Sequence, residues 1–296
     1  MNEYSGIIII NKPVGGSSHK CVSIARRALN MKKIGHTGTL DPEASGVLPL
    51  LVGKATRAAD FLTAEDKCYR AGILLGTKTD TLDLSGTVLE KNNVDLPEEK
   101  VREVVKSFEG DSMQIPPMYS AISVNGQRLY SLARQGIEIE RKARPITIYS
   151  IDIVSISLPH VVIDVHCSKG TYIRSLAADI GEALGVGGTI ESLERTRCGS
   201  FSIENSVTPD ELISLCEKGE AQSVILPVDS FFSNLREIRL DKKSAERVKN
   251  GVPIYYKVET QNELFRIYDE KGEFIALSKS DVEDGKSCLR LIKGFY

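Results

Sequence analysis

The chain has 296 residues and 32.5 kDa, with 41% hydrophobic and 26% charged residues, which allows two domains of unequal size and excludes a disulfide miniprotein, a collagen-like repeat and a disordered polymer. Its 38 basic and 40 acidic residues give a net charge of -2, a balance that taken alone argues against a nucleic-acid partner. The longest apolar stretches, residues 7–10 and 47–52, fall far below the roughly 20 residues of a membrane-spanning helix, so no membrane association is expected.

Taken in chain order, residues 5–10 are a β-branched run closed by Asn11-Lys12-Pro13, which predicts a short buried strand. Gly15, Gly16 and a serine cap lead into a helix over residues 19–29, with Arg26 and Arg27 in its last turn, where the helix dipole favours them. Residues 35–53 hold four glycines and two prolines and predict a structured loop feeding a strand or short helix. A helix over 55–64, a strand over 69–76, a polar loop over 77–83 and a strand from Gly86 follow. Pro97 opens a helix whose apolar face is Val101, Val104, Val105 and Phe108. Residues 146–156 and 161–166 predict paired strands, and a helix then runs to Leu184 with Gly185 as its stop.

Near Leu235 the texture changes to short strands and charged turns at Gly251-Val252-Pro253, residues 269–272 and Asp284-Gly285. The boundary is set there: residues 1–235 form the larger domain and residues 236–296 a small β module. Met1 to Tyr4 carry no basic stretch preceding a long apolar one, so no secretory signal is read and a cytoplasmic location is expected. The six cysteines are scattered without a Cys-x-x-Cys pair, which predicts neither a zinc site nor a disulfide framework.

The distribution of charge reverses the argument from its total. Between Tyr4 and Leu40 there is no acidic residue, while Lys12, Lys20, Arg26, Arg27, Lys32 and Lys33 are all positive. Residues 120–145 form a second net-positive stretch, rich in Gly, Gln, Asn and Tyr. Two such stretches suit a phosphate backbone. Lys54 lacks the spacing of a phosphate-binding P-loop, no dinucleotide fingerprint or nucleophile elbow is present, and the histidines have no partner at ligand spacing. No metal and no nucleotide or other cofactor is expected. What remains is Asp41, in a glycine-braced loop of the kind that holds catalytic groups.

The words around Asp41 resemble a known family. Residues 35–49, GHTGTLDPEASGVLP, match nearly word for word the catalytic motif of the TruB family of tRNA pseudouridine synthases. Asn11-Lys12-Pro13-Val14-Gly15-Gly16-Ser17-Ser18 is similar to its first motif, Lys67-Cys68-Tyr69 to its tyrosine segment, and TDTLD at 79–83 and CSKGTYIRS at 167–175 to two further blocks. The order holds from about residue 5 to 200. The last sixty residues resemble the family's PUA-like RNA-binding module more weakly. The resemblance implies an α+β fold: a pseudouridine synthase core with a mixed, largely antiparallel sheet flanked by helices, and a C-terminal PUA-like β module.

The resemblance also implies isomerisation of uridine 55 in the T loop of tRNA, with Asp41 as the essential carboxylate. Retaining glycosidases need two carboxylates, but uracil leaves as an anion delocalised over two carbonyls, so one aspartate without a metal can suffice. Addition to C1′, a glycal route and attack at C6 all remain open. Arg174 is the implied ion-pair partner that keeps Asp41 charged, and Tyr69 stacks on the uracil and takes its C5 proton. Tyr172 closes the pocket, and His36 aids extrusion of the base. Lys12, Arg57 and Asp83 are implied as phosphate ligands or loop supports, Asp83 more as a support. Residues 120–145 become an insertion, without a strong core pattern, that grips the T arm. The expected partner is tRNA, bound by a monomer without guide RNA. Rival readings are a non-catalytic RNA chaperone, a guide-RNA ribonucleoprotein subunit and a phosphate-transferring enzyme using Asp80 or Asp83.

Overall fold

The opening β-branched run forms strand β1 (Gly6–Lys12), buried over nearly its whole length. Continuous apolar sequence is what a strand covered on both faces requires. The structure, a computed structural model, describes residues 4–124, 126–258, 260–283 and 285–296. Met1 to Glu3, Asn125 of the basic stretch and Asp284 of the last predicted turn therefore lie outside the described residues.

Helix α1 (Ser18–Ala28) follows, and its cap is Ser17, whose side chain accepts the Lys20 backbone N–H at 3.1 Å. The glycine-rich segment becomes two strands, β2 (Ile34–His36) and β3 (Ala44–Val52). Only residues 37–43 remain between them as a loop. The helix predicted over 55–64 is divided into a 3₁₀ turn, Gly53–Ala58, and a short α2 (Ala59–Thr63). Ala55 and Ala58 are both fully buried, and residues three apart eclipse in the 3₁₀ form, so that geometry lays both methyls on the core.

The chain continues through β4 (Lys67–Leu75), the hairpin β5 (Thr77–Thr79) and β6 (Val88–Lys91), α3 (Glu98–Lys106) and β7 (Gly110–Gln114). The basic insertion holds β8 (Ser123–Val124), β9 (Gln127–Arg128) and α4 (Leu129–Ala133). It has a small core of Met118, Leu129 and Leu132, which the sequence reading did not find. The paired strands are β10 (Arg144–Ser157) and β11 (His160–Cys167), and α5 (Ile173–Ala183) ends ahead of Gly185, whose φ is +75°.

Elements without a counterpart in the sequence reading include β12 (Gly188–Cys198), its partner β13 (Phe201–Ser202), and α6 (Pro209–Glu217). The signal for α6 was present as Thr208-Pro-Asp-Glu211, a capping box. The Thr208 Oγ1 accepts the Glu211 N–H at 3.2 Å, and a Glu211 carboxylate oxygen accepts the Thr208 N–H at 2.7 Å.

Among the described residues nine strands form one sheet in the order β1-β3-β12-β4-β11-β10-β7, with β13 on β12 and β2 on β3. Only β3 and β12 run parallel within it. Helices α3 and α5 cover one apolar cluster with β4, β10 and β11, and helices α1 and α6 cover another with β1 and β3. The fold is the expected α+β arrangement around a mixed, largely antiparallel sheet. A second sheet comprises β14 (Arg236–Arg239), β15 (Ile254–Tyr255), β16 (Leu264–Tyr268), β17 (Phe274–Glu283) and β18 (Lys286–Gly294), in the order β14-β16-β17-β18-β15. Helix α7 (Lys242–Lys249), absent from the sequence reading, packs on it. Leu277 and Phe295 share a cluster with Ile7, Ile9 and Phe232, which joins the module to the main core.

Candidate active site

The loop 37–43 carries Asp41 between β2 and β3, and the first motif lies under it as a support. Ser18 Oγ, 2% exposed, accepts the Leu40 N–H at 2.8 Å and donates to the Leu40 carbonyl at 3.0 Å. The Pro42 carbonyl accepts from Gly15 N–H at 2.9 Å and from Lys12 Nζ at 3.1 Å. Backbone groups on both sides of Asp41 are thereby satisfied by α1 and the end of β1, which fixes the loop's path. Lys12 is 0% exposed and also donates to the Pro13 carbonyl at 2.8 Å, and burial lowers the pKa of its ammonium. The structure thus places Lys12 under the loop, a fully enclosed ammonium bound to two carbonyls.

A guanidinium stands behind the carboxylate. Arg174, at the start of α5 and 5% exposed, places Nη2 2.9 Å from Asp41 Oδ2 and Nη1 3.6 Å from Asp83 Oδ2. The same two nitrogens also donate to the Thr81 carbonyl at 2.9 Å and the Tyr119 carbonyl at 2.6 Å. Asp83 Oδ1 in turn accepts from Thr81 Oγ1 at 2.7 Å, Ser85 Oγ at 2.6 Å and the Ser85 N–H at 3.0 Å. Asp83 thus orders the loop after β5, where Leu82 is held at φ +63°, an uncommon conformation for a leucine. Arg174 joins that loop, the root of the insertion and the Asp41 loop.

Burial is the largest influence on Asp41 and pushes its carboxyl above the ordinary value; the Asp83 charge adds to this, and Arg174 works in the opposite direction. The ion pair forms as expected, but it does not outweigh desolvation. The result is an aspartate whose anion is costly, held and aimed by one buried cation.

Three cavities meet at Asp41. One of about 260 Å³ is lined by Asp41, Tyr69, Tyr172, Thr171, Gly38 and Arg195. Tyr69 comes from β4 and Tyr172 from the N-cap of α5, so sheet and helix each contribute one ring. Burial raises the Tyr69 phenol to about 12, which keeps it protonated at neutral pH. The Tyr172 backbone is clasped by Gln114, 5% exposed, whose Oε1 accepts its N–H at 2.8 Å and whose Nε2 donates to its carbonyl at 3.0 Å. The second cavity, about 560 Å³, opens between Asp80, Thr87, Tyr119, Tyr130 and Arg134. The third, about 580 Å³, runs past Val14, Glu43, Arg70 and Glu194. A nucleoside-sized pocket beside two open grooves suits one extruded nucleotide of a longer strand.

Asp41, Tyr69, Arg174, Tyr172 and Asp83 are therefore brought together, and Lys12 lies beneath them. His36 is not among the lining residues. It is half-buried at the end of β2, with its Nδ1 unpartnered, and its pKa is lowered by burial and by the Arg195 charge. Arg57 is elsewhere: its guanidinium donates to the Gly294 carbonyl at 3.0 Å and the Tyr296 carbonyl at 2.9 Å and lies over the Tyr296 ring. These contacts tie the 3₁₀ turn after β3 to the C-terminal sheet. Gln114 and Arg195 were missed; an isolated Gln and an Arg within an alternating strand carry no local signal. Among the described residues no cluster of three or more His, Cys, Asp or Glu side chains is placed to hold a metal ion.

Comparison with known proteins agrees with this geometry. Residues 26–173 match the model of the TruB family pseudouridylate synthase N-terminal domain, and residues 174–233 that of the tRNA pseudouridylate synthase B C-terminal domain. The chain is 43% identical to tRNA pseudouridine synthase B of Clostridium tetani, over 97% of this chain and all of that one. It is 46% identical to the protein of that name from Alkaliphilus oremlandii, over 88% of this chain and 86% of the relative. Among solved structures, a chain of a Cbf5-Nop10-Gar1 complex superposes with a TM-score of 0.75 at 30% identity, over 98% of this chain and 85% of that one. An H/ACA ribonucleoprotein bound to a substrate RNA gives 0.74 at 28% identity, with coverage of 98% and 85%. The chain belongs to the TruB family of pseudouridylate synthases and is an isomerase.

Proposed function

We propose that this protein converts uridine 55 in the T loop of tRNA to pseudouridine, with Asp41 as the catalytic carboxylate. The observation that carries the reading is the Asp41 carboxylate, paired with buried Arg174 at 2.9 Å, at the mouth of a pocket walled by Tyr69 and Tyr172. The reaction breaks the N1–C1′ bond, turns the uracil within the pocket and joins C5 to C1′. The C5 proton is lost and N1 ends protonated, so atoms and charge balance without a cofactor. Asp41 acts on the sugar or base in its ionised form, and Arg174 holds it in one orientation. Tyr69 stacks on the base as a neutral phenol.

The two larger cavities take the flanking nucleotides, and the insertion that contributes Tyr130 and Arg134 grips the T arm. The C-terminal sheet adds a further RNA contact of the PUA-like kind. The stand-alone tRNA reading is favoured over a guide-RNA subunit because a relative named tRNA pseudouridine synthase B matches over its full length at 43% identity, against 28–30% for the ribonucleoprotein chains. Tritium release from a tRNA transcript carrying 5-tritiated uridine tests the assignment. One equivalent is expected from the native transcript and none when cytidine replaces uridine 55. Equal release from both transcripts would move the target elsewhere.

A further inference from the structure

We propose that Arg195 is a positioning residue that locks Tyr69 and the Asp41 loop into one unit, so that the ring and the carboxylate keep a fixed relation around the target nucleoside. The inference deepens the reading above and rests on it for the identity of the reaction. Arg195 lies on β12, where its backbone pairs with Gly46 of β3 on one side and with Tyr69 of β4 on the other. It is 1% exposed. Its Nε donates to the Val47 carbonyl at 2.7 Å and its Nη2 to the Gly38 carbonyl at 3.0 Å. Gly38 precedes Asp41 by three residues and Val47 follows it by six, so one guanidinium spans both arms of the catalytic loop.

Two glycines make room for this. A methyl on Gly38 would stand 3.3 Å from Arg195 Nη1, and one on Gly46 would stand 2.2 Å from the Arg195 carbonyl. Both glycines have positive φ, +72° and +98°, so the loop reaches the guanidinium by a path that other residues rarely adopt. Among the described residues Arg195 is in no ion pair; the Val47 and Gly38 carbonyls accept from it, and its guanidinium also makes a side-chain hydrogen bond with Tyr69. A buried cation held without a carboxylate is expensive for folding. Apolar packing would fill the same strand position at less cost, which points to a functional reason for the charge. Its neighbour in the nucleoside pocket is Tyr69, and its positive charge is the largest influence opposing the effect of burial on that phenol.

A two-armed brace has a test that separates it from general support. Single-turnover tritium release at saturating enzyme is measured for native protein, Arg195→Lys, Arg195→Met, Tyr69→Phe and the Arg195→Met/Tyr69→Phe double variant. Lysine keeps the charge but loses the planar fork whose Nε and Nη2 reach the Val47 and Gly38 carbonyls separately, so both single Arg195 variants are expected to lose about 100-fold in rate, the scale of an ångström misplacement. Binding of tRNA should stay within about three-fold, because a shift inside the nucleoside pocket misplaces the reacting groups while the RNA contacts outside it are kept. Tyr69→Phe should cost far less in the Arg195→Met background than in the native one. Independent, multiplying effects would overturn the coupling, as would a rate within about three-fold of native for Arg195→Lys, which also decides the matter if Arg195→Met does not fold. The Tyr69 resonance of ring-labelled protein, assigned by Tyr69→Phe, gives a readout without turnover. It should move in Arg195→Lys even if native protein releases no tritium, the result that would count against uridine 55; an unmoved resonance overturns the brace.

Discussion

The Asp41 centre and the C-terminal sheet use the same charged residue types to opposite ends. Around Asp41, whose side chain is 41% exposed toward the cavities, the Arg174 side chain is 6% exposed and Asp83 is 11% exposed, and these two are held by the Thr81 and Tyr119 carbonyls and by Thr81 and Ser85. On the C-terminal sheet, Arg290 and Asp281 pair at 3.0 Å while 45% and 49% exposed, and Arg239 and Glu237 pair at 3.5 Å while 69% and 49% exposed. Water screens the second set and leaves it nearly free to rearrange. Enclosure fixes Arg174 and Asp83 and, through them, the direction from which Asp41 is held. The difference teaches that burial, rather than residue identity, decides whether charged partners keep one geometry.

Breaking the enclosed network should give the largest combined loss of rate and stability. Arg174→Met removes the cation between two carboxylates, and a loss of about 10³-fold in tritium release is expected, comparable to removing a preorganised charge from an active site. Stability should fall by about 3–5 kcal/mol, the usual consequence of unpairing a buried ion, read from denaturant melts. Arg174→Lys keeps the charge but loses the fork that reaches Asp41, Thr81 and Tyr119 together, so its rate should lie closer to the Met variant than to native.

Asp83→Asn sharpens the comparison because it removes charge while leaving a similar shape. Its charge raises the Asp41 pKa, so the acid limb of the rate profile should move to lower pH in this variant. At neutral pH a loss of about ten-fold is expected, the scale of one charge-assisted hydrogen bond. An unmoved acid limb would show that Asp83 does not act through Asp41.

Asp41→Asn should abolish release and yet raise the melting temperature at neutral pH. Because the folded-state pKa of Asp41 lies above its unfolded value, the native state favours the proton. Stability is therefore lost as pH rises from the unfolded value through the folded one, and an amide escapes that loss. The smallest effect belongs to the solvated set: Arg290→Ala should leave both melting temperature and rate unchanged within error.

What the sequence disclosed follows the same division. Strand β1, helix α5 and the β10–β11 pair were legible because apolar periodicity and glycine stops are local signals. Asp41, Tyr69 and Arg174 were legible from their motif words, although they lie on three separate elements. Arg195 and Gln114 were not, because a buried polar residue acquires meaning only from what the fold places around it, here the carbonyls of Gly38 and Val47 and the backbone of Tyr172. The sequence leaves Lys12 and Arg57 between phosphate ligand and loop support; Lys12 is sealed under the loop, and Arg57 lies exposed against the last strand. A basic residue's charge is plain in sequence, but its direction is set by the fold.

The most direct test of Asp41 as the catalytic carboxylate is the single-turnover conversion of tRNA bound in advance to native protein and to Asp41→Asn, at pH values on either side of neutrality. Native protein is expected to convert the bound uridine, with its rate falling on the acid side as Asp41 takes up a proton. Asp41→Asn should bind the RNA and leave it unchanged. Conversion by Asp41→Asn within about ten-fold of native, a loss too small for an essential catalytic group, would contradict the account.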